Sequence, residues 1–489
     1  MVDLGRRQGR SRSEAGAPGD DPGTGLVVAD LGRRPADRVR GGALPGDPST
    51  AGLYTSAGRR SLQLHHPEYQ YPIMRKCLIP LALSMTVGTS PGLAQGDEEN
   101  APQEPATLGQ AIRDADVSLG LRYRVEQSDD DAFDATALAS TLRTTLKLQT
   151  KAFRGFSFLL EAEDVTPVGN DRTYRNLGYG GLDNGVRDRP IIADPALTAI
   201  NQAAARLERG PVAFTLGRTE LLIGDQRFVG AVGWRQHHQA FDAAALDAQM
   251  GADWSLRYAF LNRAHRITGA EEPMGSHVIY VSGPAGPGNL ALFGYLLDYD
   301  RPGAAANSTS NWGASYNGSR EAGAVSVLWE LQYAVQSDWA DHPGSVDLDY
   351  QKTGIGFTRG DVSVRAVREA LDGDGTYGFR TPLATLHGFN GWTDKFLGTP
   401  AHGLVDLYLR LDHNLDTWNW TVRWHQFRSA VGSIDYGTEI DAMAVWNTPW
   451  KQDFGIKLAQ YNADEWSTDT FKIWVWTSWT VNLRSAGGR

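Results

Sequence analysis

Apolar and polar residues alternate with a period of two through most of the chain. In the stretch TWNWTVRWHQF, which begins at Thr417, the residues Trp418, Trp420, Val422 and Trp424 fall on one face, and polar side chains fall on the other. Successive side chains of a β-strand point to opposite faces of its sheet, so this pattern predicts strands with one apolar and one polar face. The same alternation recurs in segments 117–126, 138–148, 254–263, 325–333 and 471–481.

Strand length separates a membrane barrel from a soluble sheet. The alternating segments predict strands of roughly 10 to 14 residues, whereas soluble strands average about 5 or 6 and a tilted membrane strand needs about 9 to 11. Tryptophan and tyrosine near the ends of the apolar faces suit the boundary between lipid and water. The predicted fold class is therefore all-β, a transmembrane antiparallel β-barrel of about 18 strands. A soluble β-sandwich with one hydrated face is the alternative, and the alanine run at 203–205 is the best helix candidate.

Long and short connections between the predicted strands alternate along the chain. The stretch SDDDAFDAT after the first strand is interpreted as long and the next connection, AFRG, as short. Segments 165–198 and 372–401 are much longer than TPWKQ, which begins at Thr448. Long extracellular loops and short periplasmic turns are typical of barrels in the outer membrane of Gram-negative cells, with both termini in the periplasm. The outer membrane is therefore the predicted location.

The N-terminal part of the chain carries a candidate signal peptide at an internal position. The stretch MRKCLIPLALSMTVGTSPGLA has a basic start, an apolar middle that is too short to span a bilayer, and small residues before the cleavage point. A buried helix is the alternative interpretation. The Arg-, Gly- and Pro-rich residues before it predict disorder or a non-native extension, with Met74 as the biological start. The expected organisation is an extension at 1–73, a signal peptide at 74–94, a periplasmic segment at 95–116, a barrel at 117–483 and a polar tail at 484–489.

Composition and motifs exclude several classes of function. The formal net charge of −10 argues against a broad basic surface for nucleic acid. The single cysteine, Cys77, excludes an intramolecular disulfide framework and a CxxC site. The sequence has no GxSxG, HExxH or P-loop motif, so no catalytic residue, metal or cofactor is expected. The adjacent His237 and His238 are interpreted as loop residues, and an outer-membrane lipid-modifying enzyme using His425 is the alternative from another class.

Strand parity predicts which side chains face the lumen. A barrel of about 16 to 18 strands encloses an aqueous channel, so passage of a solute is the expected function. Rings of Arg and Lys in a pore select anions, whereas cations paired with inward Asp and Glu would leave the lumen electrically balanced, and both interpretations stay open. Inward aromatic residues such as Trp474 either stack on sugar faces or pack beneath an infolded loop. The cations that parity places inside are Arg122, Arg124, Arg143, Lys147, Arg257, Arg263, Arg365, Arg410, Arg423, Lys457 and Lys472.

One stretch resembles a known family. The sequence LGRTELLIGDQRFVGAVGWRQHHQAFDAAAL, which begins at Leu216, is similar to the most distinctive part of the alginate export family of outer-membrane proteins, through its GR, GDQRFVG, WRQ and FD elements. The resemblance implies an 18-stranded monomeric barrel whose best-known role is export of the polyuronate alginate through an arginine-lined constriction. On that analogy Arg218 and Arg235 belong to the pore mouth, and Arg143, Arg365 and Arg423 are constriction candidates.

Two readings of the family motif stay open, and two features depart from the family. Arg218 and Arg227 equally suit a structural role, in which Asp225 and Asp242 pin the loop. The long periplasmic turn that plugs the pore in alginate exporters is only TPWKQ here. The chain also ends in a polar tail past Trp479 rather than in an aromatic residue, which bears on recognition by the barrel-insertion machinery.

The functional prediction is a porin for passive passage of anionic saccharides, such as an alginate-like polyuronate, or of small organic anions. An uptake porin for neutral or aromatic small molecules is the alternative if the lumen charges cancel. The expected partners are the anionic solute, outer-membrane lipid and lipopolysaccharide, and the barrel-insertion machinery, with no nucleic acid.

Overall fold

The computed structural model describes residues 104–251 and 253–484, and the predicted N-terminal extension, the signal peptide and residues 485–489 lie outside the described residues. The described chain folds into one 18-stranded antiparallel sheet. The strands are β1 Asp116–Asp130, β2 Ala137–Gln149, β3 Phe156–Pro167, β4 Leu197–Arg209, β5 Val212–Thr219, β6 Ala240–Met250, β7 Trp254–His265, β8 Glu271–Ala285, β9 Gly288–Leu296, β10 Thr309–Ala322, β11 Val325–Asp338, β12 Asp347–Arg359, β13 Val362–Leu371, β14 Leu404–Asn414, β15 Trp418–Arg428, β16 Asp435–Asn447, β17 Gln452–Ala463 and β18 Thr470–Arg484.

The sheet closes on itself between its first and last strands. Each strand pairs with its neighbours in sequence, and β1 pairs with both β2 and β18, from Val117 opposite Arg484 to Asp130 opposite Thr470. Closure leaves no strand edge whose N–H and C=O groups would lack partners in hydrocarbon. The prediction of an all-β barrel of about 18 strands is confirmed, and the soluble β-sandwich is wrong.

The outer face of the barrel is apolar. In β15 the residues Trp418, Trp420, Val422 and Trp424 are all exposed on this face, whereas His425 beside them is buried in the lumen. Aromatic rings gather at the end of the barrel that holds the short turns, where Trp418 lies 5.9 Å from Trp446 between ring centroids. Such a girdle suits the interface between lipid and water.

The long loops all lie at one end of the barrel and the short turns at the other. The three longest loops span residues 168–196, 220–239 and 372–403, whereas four of the turns at the opposite end span two residues each, at 210–211, 286–287, 323–324 and 360–361. The connection SDDDAFDAT is not long, because β1 extends to Asp130 and only residues 131–136 connect it to β2. The barrel thus has long extracellular loops and short periplasmic turns.

Helices are few and short. The α-helix α1 covers Leu108–Arg113 before the first strand, and Thr107 caps it by accepting a hydrogen bond from the backbone N–H of Gln110. Four 3-10 helices cover Asp171–Thr173, Gly180–Leu182, Pro302–Asn307 and Leu386–Gly388. The expected helix at the alanine run 203–205 is wrong, because these residues belong to β4 and pair with β3 and β5. No helix in the described residues is long and apolar enough to cross a membrane.

An arginine on the outer face should destabilise the barrel according to its depth. Ile440 lies at the middle of β16 and is exposed on the lipid face, and Val362 lies on the same face at the periplasmic end of β13. We expect Ile440→Arg to lower the free energy of unfolding by about 2–4 kcal/mol and Val362→Arg by only about 0–1 kcal/mol. Urea unfolding in phospholipid vesicles measures both, and equal losses at the two depths would contradict a membrane-embedded outer face.

Candidate functional site in the barrel lumen

Two long loops fold into the lumen and bind each other there. The β5–β6 loop (residues 220–239) and the β13–β14 loop (residues 372–403) form a parallel bridge between Val229 and Leu383. The backbone N–H of Gly230 donates to the carbonyl of Leu383 at 2.9 Å, and the N–H of Thr385 donates to the carbonyl of Gln226 at 3.0 Å. The lumen is therefore narrowed by two loops that pack as one unit.

An apolar core lies beneath these loops on one side of the lumen. Phe228 of the β5–β6 loop stacks on Tyr295 of β9 at 5.1 Å between ring centroids and meets the edge of Tyr350 of β12. Phe379 of the β13–β14 loop packs against both Phe228 and Tyr350. Burying these rings stabilises the infolded loops, because apolar surface is removed from water. This side of the lumen is filled and offers no polar path.

Arg227 anchors the β5–β6 loop to the barrel wall through buried charge. Its Nε donates to Oε1 of Glu369 in β13 at 2.7 Å, and its Nη2 donates to the side-chain oxygen of Asn390 at 2.9 Å. Asn390 in turn donates to Oε2 of Glu369 at 2.8 Å, so both loops meet one wall carboxylate. The structural role considered for Arg227 thus agrees with its contacts, with Glu369 as the main partner rather than Asp225.

A second set of charges joins both loops to β1 and β18. Arg235 of the β5–β6 loop bridges Glu126 of β1 and Asp394 of the β13–β14 loop, at 3.2 and 2.8 Å. Lys472 of β18 also binds Asp394, at 3.0 Å, and His387 contacts its other carboxylate oxygen at 2.6 Å. Burial holds the pKa of His387 well below its usual range, so the ring is neutral at neutral pH.

Lys457 of β17 lies among three tryptophan rings. Its Nζ is 4.0 Å from the ring centroid of Trp234, 3.8 Å from that of Trp392 and 5.1 Å from that of Trp474. The same nitrogen lies 2.6 Å from Nε2 of His387, which accepts a hydrogen bond from it as a neutral ring. Cation–π contacts strengthen when the cation is desolvated, so one wall lysine holds a tryptophan from each infolded loop.

Three arginines form a row across neighbouring strands of the lumen wall. Arg365 of β13 is directly opposite Arg410 of β14, and Arg410 is directly opposite Arg423 of β15. Among the described residues only Arg410 of these three makes a salt bridge, with Asp412 at 2.7 Å, although Asp441 of β16 is directly opposite Arg423. Like charges in directly opposite positions destabilise a sheet, so this arrangement is not explained by stability of the barrel. We call Arg365, Arg410 and Arg423 the arginine row.

Two members of the arginine row keep polar groups without a partner. Nε of Arg365 and Nε of Arg423 are buried and have no hydrogen-bond partner among residues 104–251 and 253–484. Arg423 donates from Nη1 to the carbonyl of Gly388 at 3.2 Å, and its guanidinium lies 4.9 Å from the ring centroid of Trp392. Neither arginine makes a salt bridge in the described part of the chain.

A second arginine pair lies across β1 and β2. Arg122 and Arg143 are directly opposite each other. Arg122 donates to the backbone carbonyls of Gly233 and Trp234, at 3.2 and 2.6 Å, and Arg143 lies 2.5 Å from Nε2 of His238. Both arginines therefore contact the β5–β6 loop, and Arg122 makes no salt bridge within the described residues.

The remaining inward candidates are paired with carboxylates. Both of the expected arrangements therefore occur in one lumen, with some cations paired and others without an acidic partner. The paired cations and their partners are Arg124 with Asp194, Lys147 with Glu161 at 3.3 Å, Arg257 with Asp247 at 2.5 Å, and Arg143 with Glu163 at 3.8 Å.

Arg218 and Arg263 do not face the lumen. Arg218 lies two residues after Leu216 and therefore on the same face, which is the lipid face, and it binds Asp242 there at 3.0 Å. A β-bulge between Leu261 and Arg263 inserts one residue and reverses the parity beyond it, so Arg263 points outward and binds Glu271. These two expected pore residues belong to the outer rim at the extracellular end.

The sequence did not reveal the loop residues that complete the site. Asp194, His387, Trp392 and Asp394 lie in long loops, where no period of two assigns a direction to a side chain. Trp474, considered for stacking on sugar, is fully buried beneath the infolded loops.

The histidine considered for a lipid-modifying enzyme faces the lumen. The described residues contain no group of three His, Cys, Asp or Glu side chains that could hold a metal ion. His425, the candidate for a lipid-modifying enzyme, is 1% exposed, faces the lumen and lies 2.9 Å from Asp406. It therefore does not reach the outer leaflet.

The family model for alginate export matches residues 113–336, which include the infolded β5–β6 loop. The resemblance to the alginate export family is confirmed. The fold and this family are those of outer-membrane porins, which are not enzymes. No curated protein sequence matches the chain.

Solved structures of outer-membrane porins share the fold. OpdK of Pseudomonas aeruginosa, solved with vanillate, superposes with a TM-score of 0.61 at 12% identity, covering 76% of this chain and 99% of OpdK. OccK9 (OpdG) of the same organism gives 0.62 at 13% identity, covering 76% and 100%. OccAB2 of Acinetobacter baumannii gives 0.61 at 15% identity, covering 76% and 99%. At these identities the likeness establishes a common barrel fold. This chain has the barrel fold of outer-membrane porins.

Removing the arginine that anchors the β5–β6 loop should loosen both infolded loops. Arg227→Met leaves Glu369 buried without its cation, which we expect to cost about 3–5 kcal/mol in the free energy of local opening. Hydrogen exchange of residues 220–239 and 372–403 measures this opening. Adding Glu369→Gln should recover much of the loss, because no buried charge then remains unpaired.

A matched control is Arg301→Met in the β9–β10 loop, where the pair with Glu272 at 3.5 Å is partly exposed. Its effect should stay below about 1 kcal/mol. Unchanged exchange of the two infolded loops in Arg227→Met would contradict the anchoring role.

Proposed function

We propose that the barrel passes anionic solutes, either anionic saccharides or small organic anions, by passive diffusion along the arginine row. The observation that carries the proposal is the pair Arg365 and Arg423, which face the lumen at opposite sides of Arg410 and make no salt bridge within the described residues. Guanidinium groups match carboxylates in shape and stay charged at any physiological pH. A free carboxylate is therefore the group that this wall recognises.

The cations of the lumen extend beyond the row toward β2. Lys457, Arg122 and Arg143 follow around the wall on that side, whereas Lys352 of β12 is paired with Glu330 at 3.0 Å and with Asp225 at 3.4 Å. The opposite wall carries Arg257 only in a pair with Asp247. An anion passing this arc exchanges its water for charge-assisted hydrogen bonds at several positions in turn. Because each contact is weak and neighbouring contacts compete, the solute leaves as readily as it enters.

The choice between a carboxylate and a neutral solute rests on the burial of the aromatic rings. Trp474 and Phe427 are fully buried beneath the infolded loops, so they offer no stacking surface to a neutral sugar or aromatic compound. Vanillate, which the solved OpdK structure contains, carries a carboxylate, so a small organic anion in a barrel of this fold supports the proposal. The lipid face and the rim around Arg218 would contact outer-membrane lipid and lipopolysaccharide.

Removing the two unpaired arginines should shift the ion selectivity toward cations. For Arg365→Gln combined with Arg423→Gln, we expect the permeability ratio of K⁺ to Cl⁻ to rise by about twofold or more. The measurement is the reversal potential of single channels in planar bilayers under a KCl gradient.

The matched control is Arg368→Gln combined with Arg428→Gln, which removes the same charge from the same two strands. Arg368 and Arg428 are exposed on the outer face, so their loss should leave the reversal potential of the channel unchanged. A reversal potential that is equal in both double variants would contradict the role of the arginine row.

A further inference from the structure

The carboxylate of Asp394 is held in the lumen by three donors from three different segments. Nη2 of Arg235 donates to Oδ2 at 2.8 Å, Nζ of Lys472 donates to the same oxygen at 3.0 Å, and Nδ1 of His387 donates to Oδ1 at 2.6 Å. The side chains of all four residues are less than a tenth exposed. Arg235 comes from the β5–β6 loop and Lys472 from the wall, so the three donors form a built site for one carboxylate.

Charge around this site favours an anion. Burial alone would raise the pKa of the Asp394 carboxyl, but His387, Lys472 and Arg235 more than offset it and hold that pKa well below its usual range. Lys457 donates to the far nitrogen of His387, which fixes the proton of this ring on the side facing Asp394. Glu126 of the wall is bound to the other terminal nitrogen of Arg235, Nη1, at 3.2 Å.

Asp394 occupies the site in a strained conformation. Its φ of 67° lies in the left-handed region, and Asn390 in the same segment has a φ of 52°. Among residues other than glycine, aspartate and asparagine adopt this conformation most readily, at a modest cost in free energy. The contacts that hold Asp394 therefore act against a modest backbone preference.

The segment that carries Asp394 also covers the arginine row. The Gly388 carbonyl and the Trp392 ring both contact Arg423. Glu439 of β16 accepts hydrogen bonds from the backbone N–H groups of Trp392 and Thr393, at 2.5 and 2.8 Å, and so gives the segment a second attachment to the wall. Loss of the Asp394 contacts would thus leave the loop in the lumen.

We propose that Arg235, Lys472 and His387 form a carboxylate-binding station for the solute, which Asp394 occupies as an internal competitor when no solute is present. This inference rests on the proposed function, since it takes the solute to be a uronate or a small organic acid. A solute carboxylate that enters replaces Asp394 on the same three donors. The apparent affinity for the solute is reduced by the fraction of time that Asp394 holds the station.

Removal of the internal competitor should tighten binding of a carboxylate probe. Asp394→Gly deletes the side chain and suits the positive φ at this position. We expect the dissociation constant of glucuronate, measured by calorimetry on the purified barrel in chloride-poor buffer, to fall by about tenfold. Glucose, which lacks the carboxylate, should not bind more tightly. Adding Lys472→Gln to Asp394→Gly should weaken glucuronate binding again.

The control is Asp374→Gly in the same loop. Asp374 is exposed and accepts hydrogen bonds only from the nearby backbone N–H groups of Thr376 and Tyr377, at 2.7 Å each, so its loss should leave the dissociation constant unchanged. Folding of each barrel is checked by its gel mobility before and after heating. If Asp394→Gly fails to fold, Asp394→Asn, which keeps the shape and removes the charge, should tighten binding in the same direction.

The outcomes separate this inference from the proposed function. Unchanged glucuronate affinity in folded Asp394→Gly or Asp394→Asn overturns the proposal of a carboxylate-binding station. This holds even when the reversal potential of the unmodified channel is that of an anion-selective pore. Tighter glucuronate binding in a channel that prefers cations supports the station and overturns the proposed function.

Discussion

The closed ring of hydrogen bonds between neighbouring strands is the constraint on which the rest of the structure depends. Hydrocarbon offers no partner to a free backbone N–H or C=O, so the sheet is stable in the membrane only when β1 meets β18. Closure with an even number of strands brings both ends of the barrel to the side of the short turns. It also divides every strand into a lipid face and a lumen face, and the lumen face is where charge is tolerated.

The lumen is organised by charges that the infolded loops satisfy only in part. Glu369 and Glu439 of the wall hold the β13–β14 loop through hydrogen bonds, and Arg227 and Arg235 hold the β5–β6 loop. Breaking such a buried pair is costly because one charge is left alone, so these contacts fix the position of the loops. The arginine row differs from them, because two of its members make no salt bridge among the described residues. The paired charges therefore fix the two loops in the lumen, and the arginines without a salt bridge remain available to the solute.

The barrel could be predicted from the sequence because its main signal is periodic. Three tryptophans alternating with Arg423 and His425 already give the direction of every side chain in β15. Strand parity predicted the wrong side-chain direction where the alternation is interrupted, as at the bulge before Arg263. No residue type in the sequence marks this bulge. Strand parity could not predict where Asp394, His387 and Trp392 lie. Their positions depend on how long loops fold against a wall that is distant in sequence. The family motif indicated the β5–β6 loop, but its Arg218 lies on the outer face rather than at the pore mouth.

Passage of anions through a charged lumen is most directly tested by comparing two solutes of nearly equal size. Glucuronate and glucose differ by one carboxylate, and swelling of vesicles that contain the purified barrel reports how fast each enters. We expect faster entry of glucuronate at low salt, with the difference shrinking as salt screens the arginines. Entry of glucose at the same rate or faster under those conditions would contradict this expectation.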